Sequence, residues 1–78
     1  MDEKDLIIIG DGGHARVLID IIESSTDYNL IGLTSKESSK GSRYGYPILG
    51  DDNVIDLYHS RGLKNVAIGV GAYIDNTY

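Results

Sequence analysis

A short apolar run that leads directly into a glycine-rich segment constrains this chain more than any other feature of its sequence. The run is Leu6-Ile7-Ile8-Ile9, and the segment after it is Gly10-Asp11-Gly12-Gly13-His14-Ala15, called the glycine turn below. A run rich in β-branched residues and without polar alternation is typical of a central strand that is covered on both faces, as in parallel sheets. The glycine turn fits the pattern G-x-G-x-x-[G/A], in which a strand turns sharply into a helix. The sequence therefore predicts a strand, a turn and a helix in direct succession.

A helical pattern follows the glycine turn. Arg16, Asp20 and Glu23 fall on one narrow stripe, and apolar side chains fill the rest of the circumference, which predicts a helix packed against a sheet. Residues 24–29 form the predicted exit loop, and Leu30-Ile31-Gly32-Leu33 is the predicted second strand. Strand, helix and strand together make a βαβ unit with a right-handed crossover.

The middle of the chain predicts less regular structure. Residues 34–45 are polar and carry several glycines and serines, so we expect a loop. Tyr46-Pro47-Ile48-Leu49-Gly50 is predicted to be a short extended piece. Because proline cannot donate to a sheet, we expect this piece to be an edge strand or an irregular one.

The last third predicts a second helix and a final strand. Asp51 or Asp52 is expected to cap the helix, and Gly62 to end it in the left-handed conformation. Residues 65–71 are the predicted last strand with a second glycine-rich exit, and residues 73–78 are expected to begin an element that the chain does not finish. We expect an α/β fold with three layers and a small, mostly parallel sheet, as a fragment of a longer protein.

Composition and charge narrow the possible partners. The 78 residues allow one domain with a small core. A net charge of −5 disfavours nucleic acid and anionic membranes, and the longest apolar run is too short to span a bilayer. The chain has no cysteine, and its two histidines, His14 and His59, make no zinc spacing, so we expect no metal site. The acidic start is unlike a secretory signal, so we expect a cytoplasmic protein.

The glycine turn predicts a binding site for phosphate or pyrophosphate. One glycine makes the sharp turn, another lets a ligand approach the backbone, and free N–H groups at the helix start face the ligand. The alternative is that the glycines only build a tight turn. A dinucleotide site also needs an acid at the end of the second strand, where this chain has Thr34-Ser35, and no carboxylate occurs there before Glu37. The sequence therefore disfavours NAD.

Three motifs in order resemble the N-terminal domain of bacterial sugar O- and N-acyltransferases of surface glycan synthesis. They are Ile8–Val17, Gly45–Gly50 and Ala67–Gly71, and the resemblance covers nearly the whole chain. It implies that residues 1–78 form a shortened Rossmann-like domain that holds a nucleotide sugar. It also implies a C-terminal left-handed β-helix, absent from this chain, which forms trimers, binds acetyl-CoA and supplies the catalytic histidine.

The resemblance also implies which residues bind the nucleotide sugar. The diphosphate would meet the turn, and the glycines after the last strand would line the same crevice; these residues are Gly10, Asp11, Gly12, Gly13, His14, Gly69 and Gly71. The family often has acids after its second strand, whereas this chain has Thr34 and Ser35, whose hydroxyls are expected to bind the base or ribose, followed by Lys36 as a further expected binding residue.

Some of these side chains have a second interpretation. His14 either donates to a phosphate or is a structural residue whose ring bonds a backbone carbonyl. His59 is expected to lie near a helix end. Lys36, Lys40 and Arg43 make the one basic stretch of the chain, which is either a solvated loop or helps to neutralise phosphate.

We therefore expect the acceptor-binding domain of an acetyl-CoA-dependent sugar acetyltransferase. The domain is expected to bind no cofactor itself, to transfer no acetyl group alone, and to belong to a homotrimer in the complete enzyme. The alternative from another class is a non-catalytic sensor module that binds NAD or another nucleotide.

Overall fold

The computed structural model describes residues 1–36, 41–68 and 73–75. Within these ranges the chain forms one six-stranded sheet and two helices. In chain order the elements are β1 (Asp5–Ile9), α1 (Gly13–Glu23), β2 (Asn29–Thr34), β3 (Gly41–Arg43), β4 (Tyr46–Gly50), α2 (Val54–Ser60), β5 (Asn65–Ile68) and β6 (Tyr73–Asp75). The strand order across the sheet is β3-β4-β2-β1-β5-β6.

The centre of the sheet is parallel and its two outer strands are antiparallel. Strand β1 pairs in parallel with β2 on one side and with β5 on the other, and β2 pairs in parallel with β4. Strands β3 and β6 run antiparallel to β4 and β5. The prediction of a mostly parallel sheet with the first apolar run at its centre is confirmed.

The side chains of β1 alternate between two separate cores because successive residues of a strand point to opposite faces. Leu6 and Ile8 pack with the buried face of α1, whereas Ile7 packs with Ile55 of α2 and with Leu63. Leu6, Ile7 and Ile8 are all 0% exposed. Helices α1 and α2 therefore cover opposite faces of the sheet, which confirms the three-layer α/β fold.

Residues 41–45 correct one prediction, that residues 34–45 form only a loop. Gly41–Arg43 is a strand that pairs with β4 to form a hairpin, in which Arg43 lies opposite Tyr46. The two residues of the turn, Tyr44 and Gly45, both have positive φ angles, 55° and 86°, as tight two-residue hairpin turns require.

Strand β4 is not at an edge of the sheet, because β3 lies outside it. The expectation of an edge strand at Pro47 is therefore wrong. The expectation of an irregular strand is confirmed, because the register between β2 and β4 shifts between Leu33 and Thr34.

The start of α2 differs from its prediction and the end agrees with it. Neither Asp51 nor Asp52 is the N-cap residue; this is Asn53, whose side chain makes no capping hydrogen bond. Asp51 instead accepts a hydrogen bond from the N–H of Asn53. At the other end Gly62 has φ of +103°, and its N–H donates to the carbonyl of His59, so the left-handed termination is confirmed. Neither helix is long and apolar enough to cross a membrane.

Candidate functional site

The glycine turn lies at the edge of the sheet where the central parallel strands end. It connects β1 to α1, and Thr34 and Ser35 stand at the end of the neighbouring β2. Ligands of open α/β sheets bind at this edge, outside the carboxyl ends of the strands. Gly69 and Gly71 follow β5 but lie outside the described residues, so their predicted place in the crevice stays a prediction.

The three glycines of the turn are there for different reasons. Gly10 has φ of +103°, a conformation that residues with a side chain rarely adopt. Gly12 and Gly13 do not have left-handed φ angles, and a Cβ atom added at either would meet no atom within 4 Å. Neither backbone geometry nor packing in the described chain therefore requires glycine at positions 12 and 13. Because Gly12 and Gly13 carry no side chain, the space beside the backbone at these two positions stays open.

The first turn of α1 offers free backbone donors to that space. The N-cap residue is Gly12, which has no side chain to cap the helix, and no acidic residue lies in the first turn. The N–H groups of Ala15 and Arg16 both donate to the carbonyl of Gly12. Within the described part of the chain the N–H groups of Gly13 and His14 have no acceptor. These two N–H groups and the positive end of the helix dipole suit an anion.

The amide of Gly10, in contrast, is already bonded inside the protein. Its N–H donates to the Thr34 hydroxyl at 3.1 Å, and that hydroxyl donates to the carboxylate of Asp52 at 3.0 Å. Thr34 and Ser35 are buried, and the N–H of Ser35 donates to the carbonyl of Gly50. The Thr34 hydroxyl therefore connects the glycine turn to Asp52, in the loop that precedes α2. Its contact with a base or ribose stays a prediction.

Removing the Thr34 hydroxyl is expected to destabilise the fold. Thr34→Val keeps the shape of the side chain but leaves the Gly10 N–H and the Asp52 carboxylate without their partner, which costs about 1–3 kcal/mol. Chemical denaturation measures this loss. Thr34→Ser is the matched control, because it keeps the hydroxyl and loses only a buried methyl. Amide hydrogen exchange at Gly10 should accelerate in the valine variant only; equal exchange in both variants would contradict the assigned bond.

The hairpin brings two further side chains to the turn. The Nε–H of Arg43 donates to the carbonyl oxygen of Asp11 at 2.9 Å, and Nε lies 3.9 Å from the Asp11 carboxylate. The Arg43 guanidinium lies 5.3 Å from the centre of the Tyr44 ring. The Tyr44 hydroxyl is 3.4 Å from the carbonyl oxygen of Gly12, which is a weak contact.

In the sequence Arg43 belongs to a basic stretch with Lys36 and Lys40, and Tyr44 is not among the predicted site residues. The local signal for a turn here is Gly45, just before the extended run Tyr46–Gly50, but Tyr44 is not a residue that favours the first position of a hairpin turn. Of the two lysines, Lys36 is exposed just after β2, and Lys40 lies outside the described residues.

The histidines occupy different helices. His14 is exposed in the first turn of α1, beside the free amides. Its ring makes no hydrogen bond to the residues that the structure describes, so the alternative in which it bonds a backbone carbonyl is not seen there. His59 lies in the last turn of α2, as expected for a residue near a helix end. In residues 1–36, 41–68 and 73–75 no group of three potential metal ligands comes together.

One hydrogen bond joins the hairpin to the far end of α1. The Tyr46 hydroxyl donates to the Glu23 carboxylate at 2.5 Å. This bond, together with partial burial and the nearby negative charge, raises the pKa of Tyr46 above its ordinary value of 10.0. The phenol therefore keeps its proton, and with it this donor, further into the alkaline range than an ordinary tyrosine.

A solved structure with a closely similar fold is a mutant of perosamine N-acetyltransferase from Caulobacter crescentus, in complex with CoA and GDP-perosamine. The two chains share 25% sequence identity and superpose with a TM-score of 0.74. The match covers 86% of this chain and 31% of that chain, so the present chain spans about a third of the solved relative. No curated protein matches the present chain.

Family comparison covers almost the whole chain. Residues 5–75 match the PglD N-terminal domain. The three motifs that indicated the N-terminal domain of a sugar acyltransferase all lie within this range, and that resemblance is confirmed. The chain therefore belongs to the family of the PglD N-terminal domain.

Proposed function

We propose that this domain binds a nucleotide-activated sugar, with the diphosphate against the glycine turn. The observation that carries the proposal is that Gly12 and Gly13 are glycines where neither their own conformation nor the described packing requires one. Glycine at such a place is explained by a ligand that comes closer to the backbone than a methyl group would allow. The free N–H groups of residues 13 and 14 would then donate to phosphate oxygens.

The solved relative supports a nucleotide sugar as the ligand class. Its crystals contain GDP-perosamine and CoA, and it shares this fold over 86% of the present chain. The end of β2 disfavours NAD, because Thr34 and Ser35 stand where a dinucleotide site has its acid. A diphosphate is common to UDP-sugars and GDP-sugars, and in this proposal the glycine turn contacts only the diphosphate of the ligand.

The role of the domain in catalysis would be to position the acceptor. A sugar amine or hydroxyl held in a fixed place attacks the thioester of acetyl-CoA as if within one molecule, which removes much of the entropic barrier. Acetyl transfer itself would be carried out by the complete enzyme, a homotrimer in the cytoplasm, through a left-handed β-helix domain. The present chain alone would bind the acceptor without acetylating it and would need no cofactor.

Titration calorimetry tests this proposal directly. The 78-residue chain is titrated with UDP, GDP, UDP-N-acetyl sugars, CMP-sialic acid and NAD. At least one diphosphate nucleotide or its sugar is expected to bind with one-site saturation and at least about tenfold more tightly than NAD, a difference of about 1.4 kcal/mol. CMP-sialic acid has a single phosphate and is expected to bind more weakly. NAD as the tightest ligand would favour the sensor module, and no saturable heat with any ligand would overturn the proposal.

A further inference from the structure

Two peptide groups of the glycine turn are held from outside the turn. On one side the Gly10 N–H donates to Thr34, at the end of β2. On the other side the Asp11 carbonyl accepts from Arg43, which comes from the hairpin 32 residues further along the chain. The first contact holds Gly10, the first residue of the glycine turn. The second acts on the peptide group between Asp11 and Gly12.

The bond from Arg43 determines which way the Gly12 amide points. A trans peptide group is planar, so its C=O and N–H point in opposite directions. Because Arg43 holds the Asp11 carbonyl, the Gly12 N–H faces away from Arg43. Rotation of this peptide group is otherwise little hindered, since glycine tolerates most backbone angles and an added Cβ at Gly12 would meet nothing within 4 Å.

We propose that Arg43 is a positioning residue that orients the Gly12 amide for the ligand's phosphate. This inference rests on the proposed function, since it assigns a residue to the same site. Arg43 acts through the Asp11 carbonyl and not by its charge on the ligand. Its guanidinium also lies 5.3 Å from the centre of the Tyr44 ring, and its Nε lies 3.9 Å from the Asp11 carboxylate.

Two substitutions separate this role from a direct contact between the charge and the phosphate. Gln carries its amide nitrogen at the same number of bonds from Cα as the Nε of arginine, so Arg43→Gln keeps a donor and removes the charge. Arg43→Met has similar length without donor or charge. Because the Arg43 side chain is 54% exposed, both variants are expected to fold, and denaturation curves verify this.

The first measurement needs no ligand. The backbone amide resonance of Gly12 in a ¹⁵N–¹H spectrum responds to the hydrogen bond at the preceding carbonyl. It is expected to shift in Arg43→Met and to return towards its wild-type position in Arg43→Gln. An unchanged Gly12 resonance in Arg43→Met would overturn the inference, whatever the nucleotide affinities are.

The second measurement uses UDP and GDP as probes. Arg43→Met is expected to bind the better probe about fivefold to tenfold more weakly, as for one lost hydrogen bond, and Arg43→Gln is expected to recover most of this loss. Equal losses in both variants would show a direct charge contact and overturn the inference. If the Gly12 resonance behaves as expected but the wild-type chain binds neither probe, the positioning bond stands and the proposed function fails.

Discussion

Gly13→Ala is expected to raise the stability of the fold while it weakens nucleotide-sugar binding by about tenfold to a hundredfold. Gly13 is the first residue of α1, and a Cβ atom there meets no other atom within 4 Å. Alanine in a helix is favoured over glycine by up to about 1 kcal/mol. The same methyl group would hold a phosphate away from the amide, and a hydrogen bond to a charged group contributes about 1.5–3 kcal/mol.

Thermal or chemical denaturation measures the stability of this variant, and calorimetry with the best wild-type ligand measures its affinity. Ile21→Ala is the matched control, because Ile21 is exposed on the same helix, two turns further along. This control should bind the ligand as the wild type does. Opposite changes in stability and affinity cannot come from a loss of folding. If neither Gly13→Ala nor Gly12→Ala weakens binding, the glycine turn is only a turn.

The features predicted well from the sequence depend on neighbours along the chain. The apolar run at Leu6–Ile9, the glycine turn and the left-handed Gly62 each lie where the sequence predicted them. In each case a short stretch of residue types determines the local backbone. The central position of β1 in the sheet was also predicted from its sequence, because a run without polar alternation must be covered on both faces.

The features that were missed depend on contacts between distant segments. No local pattern shows that Arg43 reaches the Asp11 carbonyl, because that contact exists only once the hairpin has paired with β2. Asp52 looks like a helix cap in the sequence, but the fold places its carboxylate beside the Thr34 hydroxyl. Pro47 indicated an edge, and the strand that covers this edge, β3, is only three residues long. Which strand pairs with which depends on how all the strands of the sheet assemble, and no short stretch of sequence determines it.

Leu18→Ala is expected to cost about 2.7–5 kcal/mol, the range for a buried leucine replaced by alanine. Leu18 is 0% exposed and packs with Leu6, Ile8 and Leu33 between α1 and the sheet. A domain of 78 residues has a total stability of roughly 4–12 kcal/mol, so this one substitution removes a large part of it. The melting temperature should fall by more than about 10 °C, since each kcal/mol shifts a domain of this size by about 4–8 °C.

Leu57→Ala provides the control for this loss. Leu57 lies on α2 and is 48% exposed, so its replacement should change the stability by no more than about 0.5 kcal/mol. Similar losses in the two variants would mean that α1 does not pack on the sheet as described. Leu18 lies about one and a half helical turns past Gly13 and faces the core, so folded Leu18→Ala protein should keep its nucleotide-sugar affinity when titrated well below its melting temperature. Loss of stability and loss of binding would then be assigned to different residues of the same helix.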